Sequence, residues 1–277
     1  MKLHFLPHIL ELNEPRIMGI LNLTPDSFSD GGLFTNKENA LNHVKQMIDD
    51  GADIIDVGGE STRPGASEVS VDKECQRVIP LIKAIREISD IPISIDTSKI
   101  EVMRQAIDAG ASMINDVNAL KAEGAVELVA KLNVPVCIMH MQGQPRTMQH
   151  TPQYENVVQE VKDFLKQRID SCLAAGIKKE NIIIDPGFGF GKTLKHNLSL
   201  FKHLGEFKKL DVPLLVGVSR KSMIGAVLDD APADERLHGS VALATLAGWM
   251  DTHILRVHDV KATVDALKLC TAVKNIE

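Results

Sequence analysis

Nearly every short apolar run in this 277-residue chain is followed by a side chain able to bind or react. Just past the runs stand Asn22, the quartet Glu60-Ser61-Thr62-Arg63, Asp96, Asn115-Asp116, His140, Asp185, Ser219-Arg220-Lys221, and Arg256 with His258. Carboxylates, amides, hydroxyls and bases delivered from so many separate segments suit one shared site around a small polar ligand. The stretch "IIIDPGFGFGKT" (182–193) raises one specific chemistry, phosphate binding by a glycine-rich loop. A P-loop needs glycine, four residues and then Gly-Lys-Ser/Thr, which puts Pro186 where the first glycine belongs. Proline has no N–H to offer a phosphate, so the near-match fails for a physical reason. Gly187, Gly189 and Gly191 also lack the wider second gap of a dinucleotide fingerprint.

The elements that must position these residues alternate along the chain. "DDGADIIDVGG" (49–59) and "DAGASMINDV" (108–117) each read as a helical tail, a Gly-Ala pair, a short apolar run and then a carboxylate or carboxamide. Before the first, Ala40, Leu41, Val44, Met47 and Ile48 fall on one helical face, and Gly51 sits where a left-handed cap is expected. Further β-rich runs occupy 17–21, 53–57, 92–95, 113–114, 136–139, 182–184, 214–218 and 254–257, eight strands in all. Between them lie amphipathic patterns such as Val78, Leu81, Ile82, Ile85 and Ile88. Strands apolar on both faces and alternating with helices imply a parallel sheet. Eight such units in about 250 residues predict one closed (β/α)8 barrel over 1–277, an α/β TIM barrel with its site at the C-terminal strand ends. An open doubly wound sheet is the alternative.

Composition sets outer limits. A hydrophobic fraction of 44% is ample for a core, and a net charge of −6 argues against nucleic acid as a partner. Four cysteines, Cys75, Cys137, Cys172 and Cys270, lie far apart without metal-ligand spacing and read as reduced thiols. No stretch approaches the roughly 18 apolar residues of a membrane span. The N-terminus lacks a signal-peptide pattern, which points to a cytoplasmic chain.

Eight motifs then resemble one family. They are "MGILNLTPDSFSDGG" (18–32), "DVGGESTRPGA" (56–66), "SIDTSK" (94–99), "INDV" (114–117), "MHMQGQP" (139–145), "DPGFGFGK" (185–192), "VGVSRKSMIG" (216–225) and "LRVHDV" (255–260). Together, and in order, they are similar to the dihydropteroate synthase family. Leu23 stands where valine is frequent in that family, a conservative departure. The resemblance implies a TIM barrel that joins p-aminobenzoate to 6-hydroxymethyl-7,8-dihydropterin pyrophosphate, with magnesium at the pyrophosphate, competition by sulfonamides, and a homodimer.

The resemblance also implies site residues, and their chemistry fits. A pterin's pyrimidine edge offers adjacent N–H donors, which two acceptors of an ionised carboxylate match, so Asp185 is the anchor. Asp96, Asn115, Met139, Gly217 and Lys221 complete the implied pterin pocket. The glycines after Asp185 would bring the backbone near the ligand, with Phe188 and Phe190 as apolar walls. Asn22, Thr62, Arg63, Arg256 and His258 are the implied pyrophosphate contacts, Asn22 offering an oxygen to magnesium. Arg256 and His258, two apart in extended chain, point to one side. Pro64, Phe190, Ser219, Lys221 and Ser222 are the implied aminobenzoate pocket, and Asp96, Lys221, Arg256 and His258 the catalytic set. Taken singly, Asp96 or Asn115 would equally suit a helix cap. His140 reads either as pocket lining or as a residue that holds its loop.

Segments 24–32 and 61–67 exceed ordinary βα loops and are expected to act as lids. An aromatic amine is a weak nucleophile and bound pyrophosphate a good leaving group, which favours departure before attack. Two rivals remain at this level: a pterin-binding methyltransferase barrel, which needs no pyrophosphate cradle, and a pterin-binding protein without catalysis.

Overall fold

The computed structural model describes residues 1–5, 8–23, 33–61, 68–144, 147–149 and 151–276, and of 33–36 the backbone alone. Strands β1 (Lys2–Phe5) and β2 (His8–Glu11) form an antiparallel hairpin. Then come β3 (Arg16–Asn22), β4 (Ile54–Gly58), β5 (Ile93–Asp96), β6 (Met113–Asp116), β7 (Val136–Met139), β8 (Ile182–Asp185), β9 (Leu215–Val216) and β10 (Ile254–Val257). These eight pair in parallel in the order β8-β7-β6-β5-β4-β3-β10-β9, and a parallel bridge between Ile184 and Leu214 closes the circle. The expected (β/α)8 barrel is therefore the observed one, and the doubly wound alternative falls.

The outer ring holds α1 (Leu33–Asp49), α2 (Val71–Ile88), α3 (Ile100–Asp108), α4 (Ala125–Leu132), α5 (Val157–Ala174), α6 (Leu194–Lys202), α7 (Gly205–Lys208), α8 (Ser222–Val227), α9 (Leu237–Trp249) and α10 (Val260–Lys274). The anticipated stripes do the packing: Ala40, Val44 and Met47 on α1, and Val78, Leu81, Ile82 and Ile85 on α2, are buried. Ile88, placed in the same stripe, is exposed because α2 ends there. Gly51 has φ +98°, the left-handed cap its position called for.

Side-chain alternation divides each strand between two cores. Ile17, Leu21, Ile55, Val57, Ile93, Ile95, Ile114, Val136, Ile138, Ile182, Ile184, Val216, Leu255 and Val257 face the helices in one large cluster. Met18, Ile54, Met113, Cys137, Ile183, Leu215 and Ile254 face inward and share a second cluster with Leu3, Phe5 and Leu12. The N-terminal hairpin is thus a plug. Lys2 and His4 alternate with Leu3 and Phe5, putting the two apolar side chains on the face that stops the lower end of the barrel. The sequence reading missed this hairpin, since a four-residue alternation is short beside the eight buried runs.

Candidate active site

Two residues above the inward apolar layer, the same alternation turns polar. Inward from Ile54 comes Asp56 and then Gly58; from Met113 comes Asn115; from Ile183, Asp185; from Ile254, Arg256; from Met18, Ile20 and then Asn22. Asp96 follows Ser94 on β5, Met139 follows Cys137 on β7, and Gly217 follows Leu215 after β9. Asp96, Asn115 and Asp185 lie within their strands and not beyond them, so the strands run one or two residues further than their apolar letters. Period-2 geometry alone therefore brings Asn22, Asp96, Asn115, Met139, Asp185, Gly217 and Arg256 to one mouth, as expected.

Arg256 is the hub. Its Nε donates to Asp56 Oδ2 at 2.6 Å and its Nη2 to Asp96 Oδ2 at 2.7 Å. Asn115 Nδ2 donates to the same Asp56 oxygen at 3.3 Å. Burial works against charge on Arg256, but Asp56 and Asp96 outweigh it and hold the guanidinium above its ordinary pKa. Burial pushes the Asp96 carboxyl up to about 7, against the pull of Arg256. The guanidinium, expected in the pyrophosphate cradle, thus has two carboxylate partners inside the barrel.

Asp185 is also raised, chiefly by burial; Lys221, the Gly187 N–H at 2.7 Å from Oδ1, Lys192 and Arg256 oppose the shift. The glycines of "DPGFGFGK" do what the failed P-loop match left unexplained. Gly187, Gly189 and Gly191 have φ of +71°, +82° and +64°, and a Cβ on Gly187 would collide with the His140 carbonyl. The turn carries Phe190 to the mouth, where it packs on Val117, Met139, Met141 and Met148. Phe188 goes the other way: it is fully buried, edge-on to Phe201 at 5.9 Å, and is no wall of the site.

Lys221 caps α8, donates to the Phe188 carbonyl, and stands 4.4 Å from the centroid of the Phe190 ring. Burial brings its amine down to about 8, with Asp185 opposing. A Cβ on Gly217 would sit 3.7 Å from Arg256 Cβ and 4.0 Å from Asp185 Oδ2, so the glycine leaves open the space between those groups. Ser219 Oγ lies 3.0 Å from His258 Nδ1 and accepts the His258 N–H at 3.2 Å, which brings both to one corner of the mouth. Ser222 is exposed at the start of α8.

Asn22 ends β3 with its Oδ1 turned over Gly58, 3.3 Å from where a Cβ there would stand, and Asp96 Oδ2 is 3.8 Å from the same point. Among the described residues no group of three or more His, Cys, Asp or Glu could hold a metal. Asn22 Oδ1 is the oxygen this end of β3 would offer a magnesium ion, which keeps waters and phosphate oxygens and asks one or two oxygens of the protein. Thr62, Arg63 and Pro64 lie outside the described residues, as do the expected lid 24–32 and all of the expected lid 61–67 except Ser61.

Several strand-end residues serve the scaffold. Asp116 points outward, accepting from Ser98 Oγ at 2.5 Å and from the N–H groups of Asn118 and Leu120 at 2.8 and 2.7 Å. Arg220 pairs with Asp259, and Glu60 accepts from Val69 N and Lys99 Nζ. His140, left open between two roles, holds its loop: it is buried edge-on to Phe164 at 4.9 Å with Nδ1 on Lys192, and burial and that lysine lower its pKa to about 2. Asp56 and Lys192 were missed. The clue to Asp56 was a carboxylate at an inward position of "IIDVG", two residues after Ile54.

A family model described as "Pterin binding enzyme" matches residues 18–258. The chain is 55% identical over 275 residues to a dihydropteroate synthase of Haemophilus influenzae, covering 99% of this chain and 100% of that one. A Xanthomonas albilineans dihydropteroate synthase solved with 4-aminobenzoic acid superposes with a TM-score of 0.95 at 48% identity, covering 100% of this chain and 99% of that one. The same organism's enzyme in complex with 7,8-dihydropteroate gives 0.91 at 45% identity over 100% of both chains. With a family model matching residues 18–258 and relatives of this closeness, the chain belongs to the pterin-binding enzyme family, and within it to the dihydropteroate synthases.

Proposed function

We propose that the mouth of this barrel condenses 6-hydroxymethyl-7,8-dihydropterin pyrophosphate with p-aminobenzoate, giving 7,8-dihydropteroate and pyrophosphate, with pyrophosphate leaving first. The observation that carries this is the inward ring of Asp96, Asn115 and Asp185 beside Lys221. Two carboxylates and an amide face a ligand edge rich in donors, and an ammonium meets its acceptor atoms. Asn115 spends its NH2 on Asp56, which leaves Oδ1 as the edge turned to a ligand.

The C–O bond to pyrophosphate breaks with its electron pair leaving on oxygen. The cationic methylene-pterin that results is held by the charges of Asp96 and Asp185, the preorganised field being the main catalytic term. The aminobenzoate nitrogen then forms the C–N bond and sheds its proton to solvent. Phe190, Ser219, Lys221 and Ser222, with Pro64, form the pocket for this second substrate; Asn22, His258, Arg256, Thr62 and Arg63 meet the leaving group. Magnesium, when bound at Asn22, neutralises charge on the pyrophosphate oxygens.

Leu246 and Trp249 on α9 and Leu269 and Val273 on the neighbouring α10 are exposed, a face suited to a second copy of the chain, and sedimentation would read the dimer. No helix of the described residues is long and apolar enough to cross a membrane, and the four free cysteines suit the cytoplasm. The deciding assay is pyrophosphate release from the dihydropterin pyrophosphate, which should require both p-aminobenzoate and Mg²⁺. Release indifferent to the amine, or none, would end this reading.

A further inference from the structure

The lysine that made "GKT" look like a phosphate loop is buried, with 3% of its surface exposed. Its Nζ has four acceptors within reach: His140 Nδ1 at 2.9 Å and the carbonyls of Gly187 at 2.8 Å, Phe190 at 3.0 Å and His140 at 3.4 Å. The three carbonyls present lone pairs, and His140 Nδ1 does so in the tautomer that carries its proton on Nε2. A neutral amine would turn its own lone pair onto one of them, whereas an ammonium has three hydrogens to give. Burial pushes Lys192 well below its ordinary pKa, and Asp185 opposes the shift. The partner set resolves this in favour of the charged form, since a charge satisfied by several acceptors is the kind an interior tolerates.

The carbonyls converge because left-handed Gly187, Gly189 and Gly191 curl the chain around Nζ. Outer bonds tighten the curl: Asn197 Oδ1 accepts from Gly189 N at 2.7 Å, and Tyr154 donates to the Gly191 carbonyl at 2.9 Å. What the curl presents to the mouth is the Phe188 carbonyl, which accepts from Lys221, and the Phe190 ring beneath the same ammonium.

We propose that Lys192 is a positioning residue: by drawing His140, Gly187 and Phe190 onto one ammonium it fixes the turn that carries Asp185, the Phe188 carbonyl and the Phe190 ring, and so sets where Lys221 stands. The proposal rests on reading Asp185 and Lys221 as pterin contacts. It predicts an electrostatic signature as well as a geometric one. The charged groups facing Asp185 are Lys221, Lys192 and Arg256, with the Cys137 thiol on the neighbouring strand. Removing Lys192 deletes one cation and raises the Asp185 pKa, so the acid side of pterin binding shifts to higher pH. A residue that only supported the fold would lower affinity equally at every pH.

The test compares Lys192→Met, Lys192→Arg and wild type for 6-hydroxymethylpterin binding by calorimetry from pH 5 to 8, and for kcat and KM of p-aminobenzoate. Expected for Lys192→Met is an affinity loss of about tenfold or more at neutral pH, an acid limb moved upward, and a KM raised more than kcat is lowered; the arginine variant should recover part of each. A folded methionine variant with wild-type affinity and an unmoved limb overturns the proposal. Should that variant not fold, ¹⁵N-lysine NMR of the wild type decides: an ammonium signal persisting at pH 7 and lost in Lys192→Arg supports the charged Lys192 at the centre of the curl, and its absence refutes it. Wild-type protein that binds no pterin would fail the functional reading instead, while the ammonium signal would still judge the role given to Lys192.

Discussion

Asn115 and Asp56, 59 residues apart in sequence, meet inside the barrel where the Asn115 amide donates to Asp56 Oδ2 at 3.3 Å, the oxygen that also accepts from Arg256 Nε. Asp56 thereby settles which way Asn115 faces. The other oxygen, Oδ1, is buried and has no hydrogen-bond partner among the described residues. Asp56→Asn keeps the volume and an oxygen for the two converging donors but removes the charge that pairs with Arg256, so the guanidinium loses one of its two carboxylate partners. The expected result is a folded protein whose pterin affinity falls by about tenfold or more, equivalent to roughly 1.4 kcal/mol. Calorimetry with a pterin measures it, and unchanged affinity would leave Asp56 with no part in orienting the site.

Asp185→Asn replaces one of two acceptors with a donor that faces the ligand's own donors. Pterin binding should weaken by about 1–3 kcal/mol while circular dichroism stays native. Wild-type affinity in that variant would remove Asp185 from the pocket.

The Asp96 carboxyl gives two pH predictions with fixed signs. Its folded pKa, about 7, lies above the ordinary 3.8, so the stability it contributes is fully present below 3.8 and is lost as pH rises through 7. Denaturation of the ligand-free protein should show that decline, and Asp96→Asn should flatten it. Ligand binding runs oppositely, because the ionised form attracts the pterin donors. In magnesium-free buffer pterin affinity should climb through about pH 7 and then fall above about 8 as Lys221 loses its proton. A flat profile would mean that neither group meets the ligand.

If departure precedes attack, the bound pyrophosphate must be able to return. With an amine-pocket analogue that cannot react, isotope placed in the bridging oxygen of the substrate should scramble. Pyrophosphate free to rotate yet showing no scrambling would instead favour direct displacement.

Phe5→Ala empties part of the plug beneath the barrel, where the ring is almost wholly buried. Loss of a large core side chain costs about 3–5 kcal/mol, so the urea midpoint should drop markedly. At temperatures where the variant stays folded, KM should hardly change, since the plug touches the lower layer and not the polar ring.

How far the sequence disclosed this depends on what kind of fact is asked for. Which way a strand residue faces follows from alternation, so Asp96, Asn115, Asp185 and Arg256 could be placed at one mouth from spacing and family resemblance. Who meets whom across the barrel does not follow. Asp56 sits in an apolar run and its partners arrive from residues 115 and 256, a convergence created by closure of the sheet. Phe188 and Phe190 look equivalent in "GFGFG", yet alternate left-handed glycines send one to the core and the other to the mouth. Lys192 was hidden by its likeness to a different motif, whose lysine reaches outward where this one turns in.

The plug under the barrel also dictates traffic. With the lower end stopped by Leu3 and Phe5, every molecule passes through the same opening. Of the groups read as pterin contacts, Asp96, Asn115, Met139 and Asp185 lie on the strands, while Phe190 and Lys221 lie on loops and Ser222 opens α8, nearer the rim. Whatever occupies the rim therefore shuts in whatever occupies the floor. On the proposed site, pterin would therefore enter first and aminobenzoate second, and a molecule that took the rim place would strand its predecessor below, so an inhibitor aimed at the second place should bind more tightly the more of the first substrate is present.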